Sequence, residues 1–313
     1  MDVNLSLTHP FQPGQHAKKD HRTEALLEID GHGLARLRRG EVHDTFDLGD
    51  HLLVIATDRV GVNGVILHDG IPDKGTIANE LSVHWFDKLK HLCPNHRIET
   101  TQWPAPLKHD RQRLEPRSML VRKADAIPIE CTVRGYMTRI AFDEFLNTGM
   151  VGGKPVHGVL RSGRLPEPRF MPSLRTHGTR RPISTAEMAD EVGVELTERL
   201  ERTAIALYEC AEALAAPRDV VIAQATLRFG WIDDELHLIG DCITPDSASY
   251  WSAEDRRPGA GPSRLGKGYL LEEMAALGWD GAAPGPRIPD DVAARVRDHY
   301  VEAYARITGH RRT

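Results

Sequence analysis

Glu130 and Arg134 stand four residues apart in the stretch Ile127–Met137, where apolar and polar residues alternate. On a half-buried strand that spacing sends both side chains to one face. An acid and a guanidinium so placed can form an internal ion pair of a sheet. They can equally leave the guanidinium fork free to reach a phosphate or carboxylate. Gly135 lets the backbone pass close to a neighbour. A second set is Glu41, His43 and Asp44. Imidazole changes charge near neutrality, so His43 beside either acid can move a proton, or it can be a solvated surface histidine. In Thr244-Pro245-Asp246-Ser247 the acid is either a ligand or the cap of a plain turn. Gly61 and Gly64 make a loop open to a phosphate or only to a turn.

The elements that must carry these residues follow from periodicity. Residues 1–23 are polar and proline-bearing and are expected to wrap over a surface. Leu34–Asp50 reads as strand, glycine turn, strand, and His51–Asp58 and Val62–Leu67 as further strands. Thr76–Leu92 is predicted helical, with Ile77, Leu81, Trp85 and Leu89 on one face and Thr76 as the cap. Pro94, Pro104, Pro106 and Pro116 mark a boundary, giving lobes over 1–116 (β-rich) and 117–313 (α+β). Beyond the strand at Ser118–Ala124 and the central stretch, a short helix is expected over Ala141–Thr148, ending at Gly149. Residues 149–183 lack periodicity and are expected to form a long loop. Ser184–Glu187 is a capping box, and helix follows from about Glu195 to Ala216. Strands at Val220–Trp231 and Leu236–Asp241 turn at Asp233-Asp234. Residues 252–264 and 279–289 read as connectors, and Pro289–Thr308 as a closing helix stopped by Gly309. Antiparallel-looking strand groups with helices between them make the expected class α+β.

Composition narrows the function classes. The 313 residues carry a net charge of −5, so no global basic field points to a nucleic-acid polymer. Four cysteines without Cys-x-x-Cys spacing argue against zinc ribbons and disulfide scaffolds. No apolar run reaches membrane-spanning length, and the N-terminus lacks a signal-peptide core. A cytoplasmic protein is expected, and homo-oligomers are allowed.

Several segments together resemble the SAICAR synthetase family, the purine-pathway ligases also called phosphoribosylaminoimidazole-succinocarboxamide synthases. They are Ala56-Thr57-Asp58-Arg59, Gly70–Gly75, Ile127–Tyr136, Leu165–Pro168, Pro172-Ser173, Phe229-Gly230, Thr244–Ser247 with Trp251, and Tyr300, Tyr304 and Ile307–Gly309. They occur in the family's order over roughly residues 34–309. The resemblance implies a two-lobe, mainly antiparallel α+β fold with nucleotide in the cleft between lobes. It implies that ATP and magnesium activate a ribonucleotide carboxylate as an acyl phosphate, which aspartate attacks to form an amide. It also implies that Asp58, Arg59, Lys74, Glu130, Arg134, Ser173 and Asp246 are retained site residues.

The departures cluster. The family's Gly-Lys-Val-Arg-Asp reads Gly40-Glu41-Val42-His43-Asp44, which sets a carboxylate where a lysine serves ATP phosphates. Gly-Ser after Arg-Gly-Tyr becomes Arg139-Ile140, and His-Asp-Glu-Asn becomes Thr179-Arg180-Arg181-Pro182. The Ala-Asp-Thr-Lys-Phe-Glu-Phe-Gly strand carries Gln224, Thr226 and Arg228, and Asp-Glu becomes Gly240-Asp241. Asp241 with Asp246 would hold magnesium poorly, because that ion leans on phosphates steadied by Lys or Arg. The resulting assignment is Glu41, His43, Asp44, Glu130 and Asp246 for catalysis. Asp58, Arg59, Lys74, Arg134, Ser173 and Arg228 are assigned to substrate, and Asp241 to metal.

The expectation is a family member acting on a purine-precursor-like ribonucleotide without ATP-driven ligation and without a cofactor. One such reaction closes the 1,3-diazepine ring of a coformycin- or pentostatin-type nucleoside antibiotic. The alternatives are a genuine SAICAR synthetase using Mg·ATP and a non-catalytic nucleotide-binding homologue.

Overall fold

Alternating apolar residues in the first third pair as a meander of β1 (Ala35–Arg39), β2 (His43–Asp47) and β3 (His51–Ala56), followed by the hairpin β4 (Arg59–Val62) and β5 (Val65–Gly70). The computed structural model describes residues 24–62, 64–100, 102–157, 163–176, 179–253 and 264–311. The N-terminal wrap of 1–23 and most of the 252–264 connector lie outside them.

Next come α1 (Lys74–Leu89), α2 (Arg111–Leu114), β6 (Ser118–Arg122), β7 (Asp125–Tyr136) and α3 (Arg139–Thr148). β8 (Met150–Val151), β9 (Lys154–Pro155), β10 (Arg164–Thr176) and β11 (Thr179–Pro182) precede α4 (Thr185–Val192) and α5 (Val194–Ala215). β12 (Val220–Ile232), β13 (Glu235–Ile239), β14 (Ala248–Ser252), β15 (Arg264–Leu265), α6 (Lys267–Ala276) and α7 (Asp290–Thr308) complete the chain.

Among the described residues, two larger antiparallel sheets form beside the hairpins β4-β5 and β8-β9. The smaller runs β1-β2-β3-β6, and the larger runs β11-β10-β7-β12-β14-β15 with β13 on β12. This is the expected α+β class. The main core forms where α1, α5 and α7 cover the larger sheet. Ile77, Leu81 and Trp85 meet Leu200, Ala204 and Leu207, the β7 residues Ile129, Cys131 and Val133, and Val296 and Tyr300. Each fully buried large apolar side chain contributes roughly 1.5–3 kcal/mol relative to exposure.

The alternation in β7 sorts its faces as expected. Ile129, Cys131 and Val133 enter the core, while Glu130, Thr132 and Arg134 face the other way. The strand is not half-buried, however, because the polar face is covered too and residues 129–136 are all buried. Glu130 and Arg134 do not pair. Four residues along a strand span about 13 Å, beyond direct contact for these side chains.

Other expectations are corrected. Residues 149–183 are largely strand, since β10 pairs β7 on one side and β11 on the other. Its prolines only break the register between Arg164 and Arg169. The proline-rich stretch after Pro94 is no loose boundary. Leu238 N donates to Pro94 O at 2.8 Å, and Arg122 N donates to His96 O at 2.8 Å. A proline removes only its own donor, so the residues between prolines remain free to pair. β6, past residue 116, belongs to the first sheet through β3. Thr76 does not cap α1, which begins at Lys74 after Asp73 in a left-handed conformation (φ 65°). The Asp73 carboxylate is instead taken by Arg297 at 2.6 and 2.9 Å. The capping box at Ser184 forms as expected, with Ser184 Oγ accepting from Glu187 N at 3.1 Å and Glu187 accepting from Ser184 N at 2.8 Å. α6 had no periodic signal, because Gly266 and Gly268 flank its start.

Candidate functional site

A cleft of about 1170 Å³ opens over the polar face of the larger sheet. Three neighbouring strands build its floor by register. On β7 and β12, Glu130 lies opposite Arg228, Thr132 opposite Thr226 and Arg134 opposite Gln224, while β10 sets Ser173 opposite Glu130. Thr132 and Thr226 hydroxyls lie 2.9 Å apart, and Arg134 Nε donates to Gln224 Oε1 at 3.1 Å. Arg134 is 4 % exposed, and burial pulls its guanidinium below its ordinary pKa. Glu130 is clasped by Arg175 Nη1 at 2.6 Å and Arg180 Nε at 3.4 Å.

One wall comes from β2 and the turn after β13. His43 Nε2 lies 3.1 Å from Asp241 Oδ1, both partly shielded. Glu41 lies over Gly61, where a Cβ would overlap its side chain. A buried ionic knot also borders the cleft. Lys74 Nζ donates to Asp246 Oδ2 at 2.6 Å, and Tyr300 Oη donates to Asp246 Oδ1 at 2.9 Å. Burial tends to raise Asp246, but Lys74, Lys267 and Tyr300 outweigh it, so its carboxyl sits below the ordinary range. Lys267, at the start of α6, lines the cleft beside this knot. Burial pulls its ammonium below the ordinary lysine value, against the attraction of Asp246. Glu41 and Asp241 also attract it.

The structure therefore brings Glu41, His43, Glu130, Arg228, Asp241 and Asp246 together in the cleft. Lys74 lies beneath it, and Arg134 and Ser173 are buried in its floor. Three assigned residues serve the scaffold instead. Asp58 accepts from Leu26 N at 2.7 Å, Gly75 N at 2.8 Å and Arg117 Nη1 at 3.0 Å. Arg59 is 2 % exposed, donates to Leu27 O at 2.7 Å, and meets Asp44 Oδ1 at 2.5 Å. Asp58, Arg59 and Asp44 are all buried, and the bonds of Asp58 and Arg59 pin strands, while Asp44 Oδ2 has no hydrogen-bond partner among the described residues.

Residues not singled out from the sequence include Arg38, His96, Arg175 and Lys267. Arg175 follows Ser173 by two on what proves to be a strand, so strand parity could have found it once β10 was known. Lys267 had no such signal.

Among the described residues, no group of three or more His, Cys, Asp or Glu side chains is placed to hold a metal ion. Asp241 already carries an imidazole. The donor set does not fit a protein-built magnesium site, and a metal would enter only as part of a nucleotide's magnesium complex, on its phosphates.

A cleft lined by side chains of both charge signs and floored by one antiparallel sheet is the kind of concave site in which small molecules are held. The chain belongs to the SAICAR synthetase family, whose model matches residues 36–285. It is 35% identical over 287 residues to the phosphoribosylaminoimidazole-succinocarboxamide synthase of Thermodesulfovibrio yellowstonii, covering 90% of this chain and 98% of that protein. The synthase of Thioalkalivibrio sulfidiphilus is 38% identical over 296 residues, with 92% and 99% covered. The solved SAICAR synthase of Saccharomyces cerevisiae, complexed with SAICAR, superposes with a TM-score of 0.81 at 33% identity, covering 91% of this chain and 98% of that one. Among the described residues, no helix is long and apolar enough to cross a membrane.

Proposed function

We propose that this chain is an amide-forming ligase of the SAICAR synthetase type, joining the amine of an amino acid such as aspartate to the carboxylate of a carboxylated aminoimidazole ribotide. The observation that carries this reading is that β2, β7, β10 and β12, which build the cleft, all lie within the family match at residues 36–285. Mg·ATP, entering as co-substrate, would supply the activation of the carboxylate. The chain's own part is to hold anionic oxygens, using Lys267 and the arginines along the floor, and to manage one proton. An attacking amine must lose a proton. With Asp241 accepting from Nε2–H, the His43 Nδ1 is left as the acceptor. Glu41 repels nucleotide phosphates, and the nearby Lys267 offsets that repulsion.

The test is an assay with Mg·ATP, aspartate and the carboxylated ribotide. Amide product with matching ADP is expected; no ADP release with all three present would overturn the reading.

A second reading keeps the scaffold and drops ATP, as in closure of a 1,3-diazepine ring of coformycin or pentostatin type. Glu41 at the cleft favours it, as do the neutral Gln224 and Thr226 on the floor. Calorimetry separates the two readings. Micromolar Mg·ATP binding supports the ligase, whereas ribotide binding with no Mg·ATP binding supports the second reading.

A further inference from the structure

At one end of the cleft lies a smaller cavity of about 410 Å³, lined by Arg38, residues 126–130, Arg175 and Arg228. Its arginines come from β1, β10 and β12, so two sheets converge three guanidiniums on one space. Among the described residues Glu130 is the one carboxylate lining it, and that charge is already engaged by Arg175 at 2.6 Å and Arg180 at 3.4 Å. Among the described residues, the side chains of Arg38 and Arg228 have neither a hydrogen bond nor an ion pair. Asp241, which lines the larger cleft and not this cavity, faces His43 at 3.1 Å.

We infer that Arg38, Arg175 and Arg228 form an anion subsite that takes a phosphoryl group without a metal ion. Arg175 and Arg228 are partly buried and Arg38 reaches the same space from an exposed strand; partial burial of guanidiniums beside one another is unfavourable unless an anion offsets it. Burial and then Arg175 pull Arg228 below its ordinary value, against the attraction of Glu130 and Asp241. Three arginines against one glutamate leave an excess of two positive charges in the lining. A phosphate monoester, at about −1.5 to −2 near pH 7, matches that excess with three acceptor oxygens on one centre, which neither a single carboxylate nor a dicarboxylate offers. Planar guanidinium forks also suit phosphate oxygens in pairs. Because the arginines themselves neutralise the anion, no divalent cation is needed in this cavity. The inference goes beyond the ligase reading and does not depend on it, since binding is measured without turnover.

The experiment is calorimetric titration of the full chain in EDTA with pyrophosphate, inorganic phosphate and succinate. Pyrophosphate is expected to bind in EDTA and to weaken as salt is raised. Arg38→Gln and Arg228→Gln should each weaken it about tenfold or more, the worth of one charge-assisted hydrogen bond. Arg38 lies on an exposed edge strand, so its variant should fold normally even where Arg228→Gln does not. Arg181→Gln is the control: it lies outside both cavities, paired with Glu187 at 3.0 Å, and should bind like the parent. Unchanged affinity in Arg38→Gln, binding that requires magnesium, or succinate binding as tightly as pyrophosphate would each overturn the inference.

Discussion

Lys74 Nζ and Asp246 Oδ2 are 2.6 Å apart with side chains only 1% and 5% exposed, which ties the start of α1 to the turn before β14 across 172 residues. Removing one member strands the other charge inside the protein. Lys74→Met or Asp246→Asn should lower unfolding free energy by about 3–5 kcal/mol in urea titration. Tyr300→Phe removes only the second donor to Asp246 and should cost about 1–3 kcal/mol. Equal losses in all three variants would contradict this ordering.

Gly135 passes against the Tyr208 hydroxyl, where a Cβ would overlap it, while Tyr208 Oη donates to Ile222 O at 2.7 Å. Gly135→Ala should therefore destabilise by roughly 1–3 kcal/mol through overpacking. In Tyr208→Phe the obstructing oxygen is gone, so the same Gly135→Ala change should cost less there. A double-mutant cycle by denaturant melts reads the coupling, and strict additivity would count against it.

His96 is held neutral in the fold, its pKa pulled down to about 4 by burial, and its Nε2 accepts from Gly240 N at 3.2 Å. His237 and Arg228 also oppose its protonation, while Asp241 favours it. The unfolded chain takes up this proton near pH 6.5 and the folded protein only near 4. Stability is therefore full above pH 6.5 and falls as the pH drops through that window, by up to about 3 kcal/mol. His96→Gln should flatten that part of the stability-against-pH curve, and an identical slope in the variant would show that other groups set it.

His43 faces Asp241 at 3.1 Å and is partly exposed, so its loss should spare the fold. His43→Gln should reduce turnover about 100-fold or more, the usual worth of a positioned acid–base group, with little change in melting temperature. Ribotide affinity should hold. Turnover within twofold of the parent would make His43 a bystander.

The polar face of the central strand was legible because strand parity is a local property. Glu130, Thr132 and Arg134 share a face whatever surrounds them. The capping box at Ser184 and the stop at Gly309 are equally local, and both stand as read. β10 was hidden because its prolines and arginines carry no period, and pairing with β7 and β11 supplies what propensity does not. Asp58 and Arg59 sit in a segment shared with the family, yet their partners Arg117 and Asp44 are set only by packing.

By itself the sequence determined the family, the α+β class and the face to which each strand residue points, since these depend on residue order and short periods. Tertiary structure alone decided which charges meet. Glu130 took Arg175 and Arg180 in place of Arg134, and Asp246 took Lys74. Ion pairs form between atoms a few ångströms apart in space, and the chain brings those atoms together from 45 to 172 residues away.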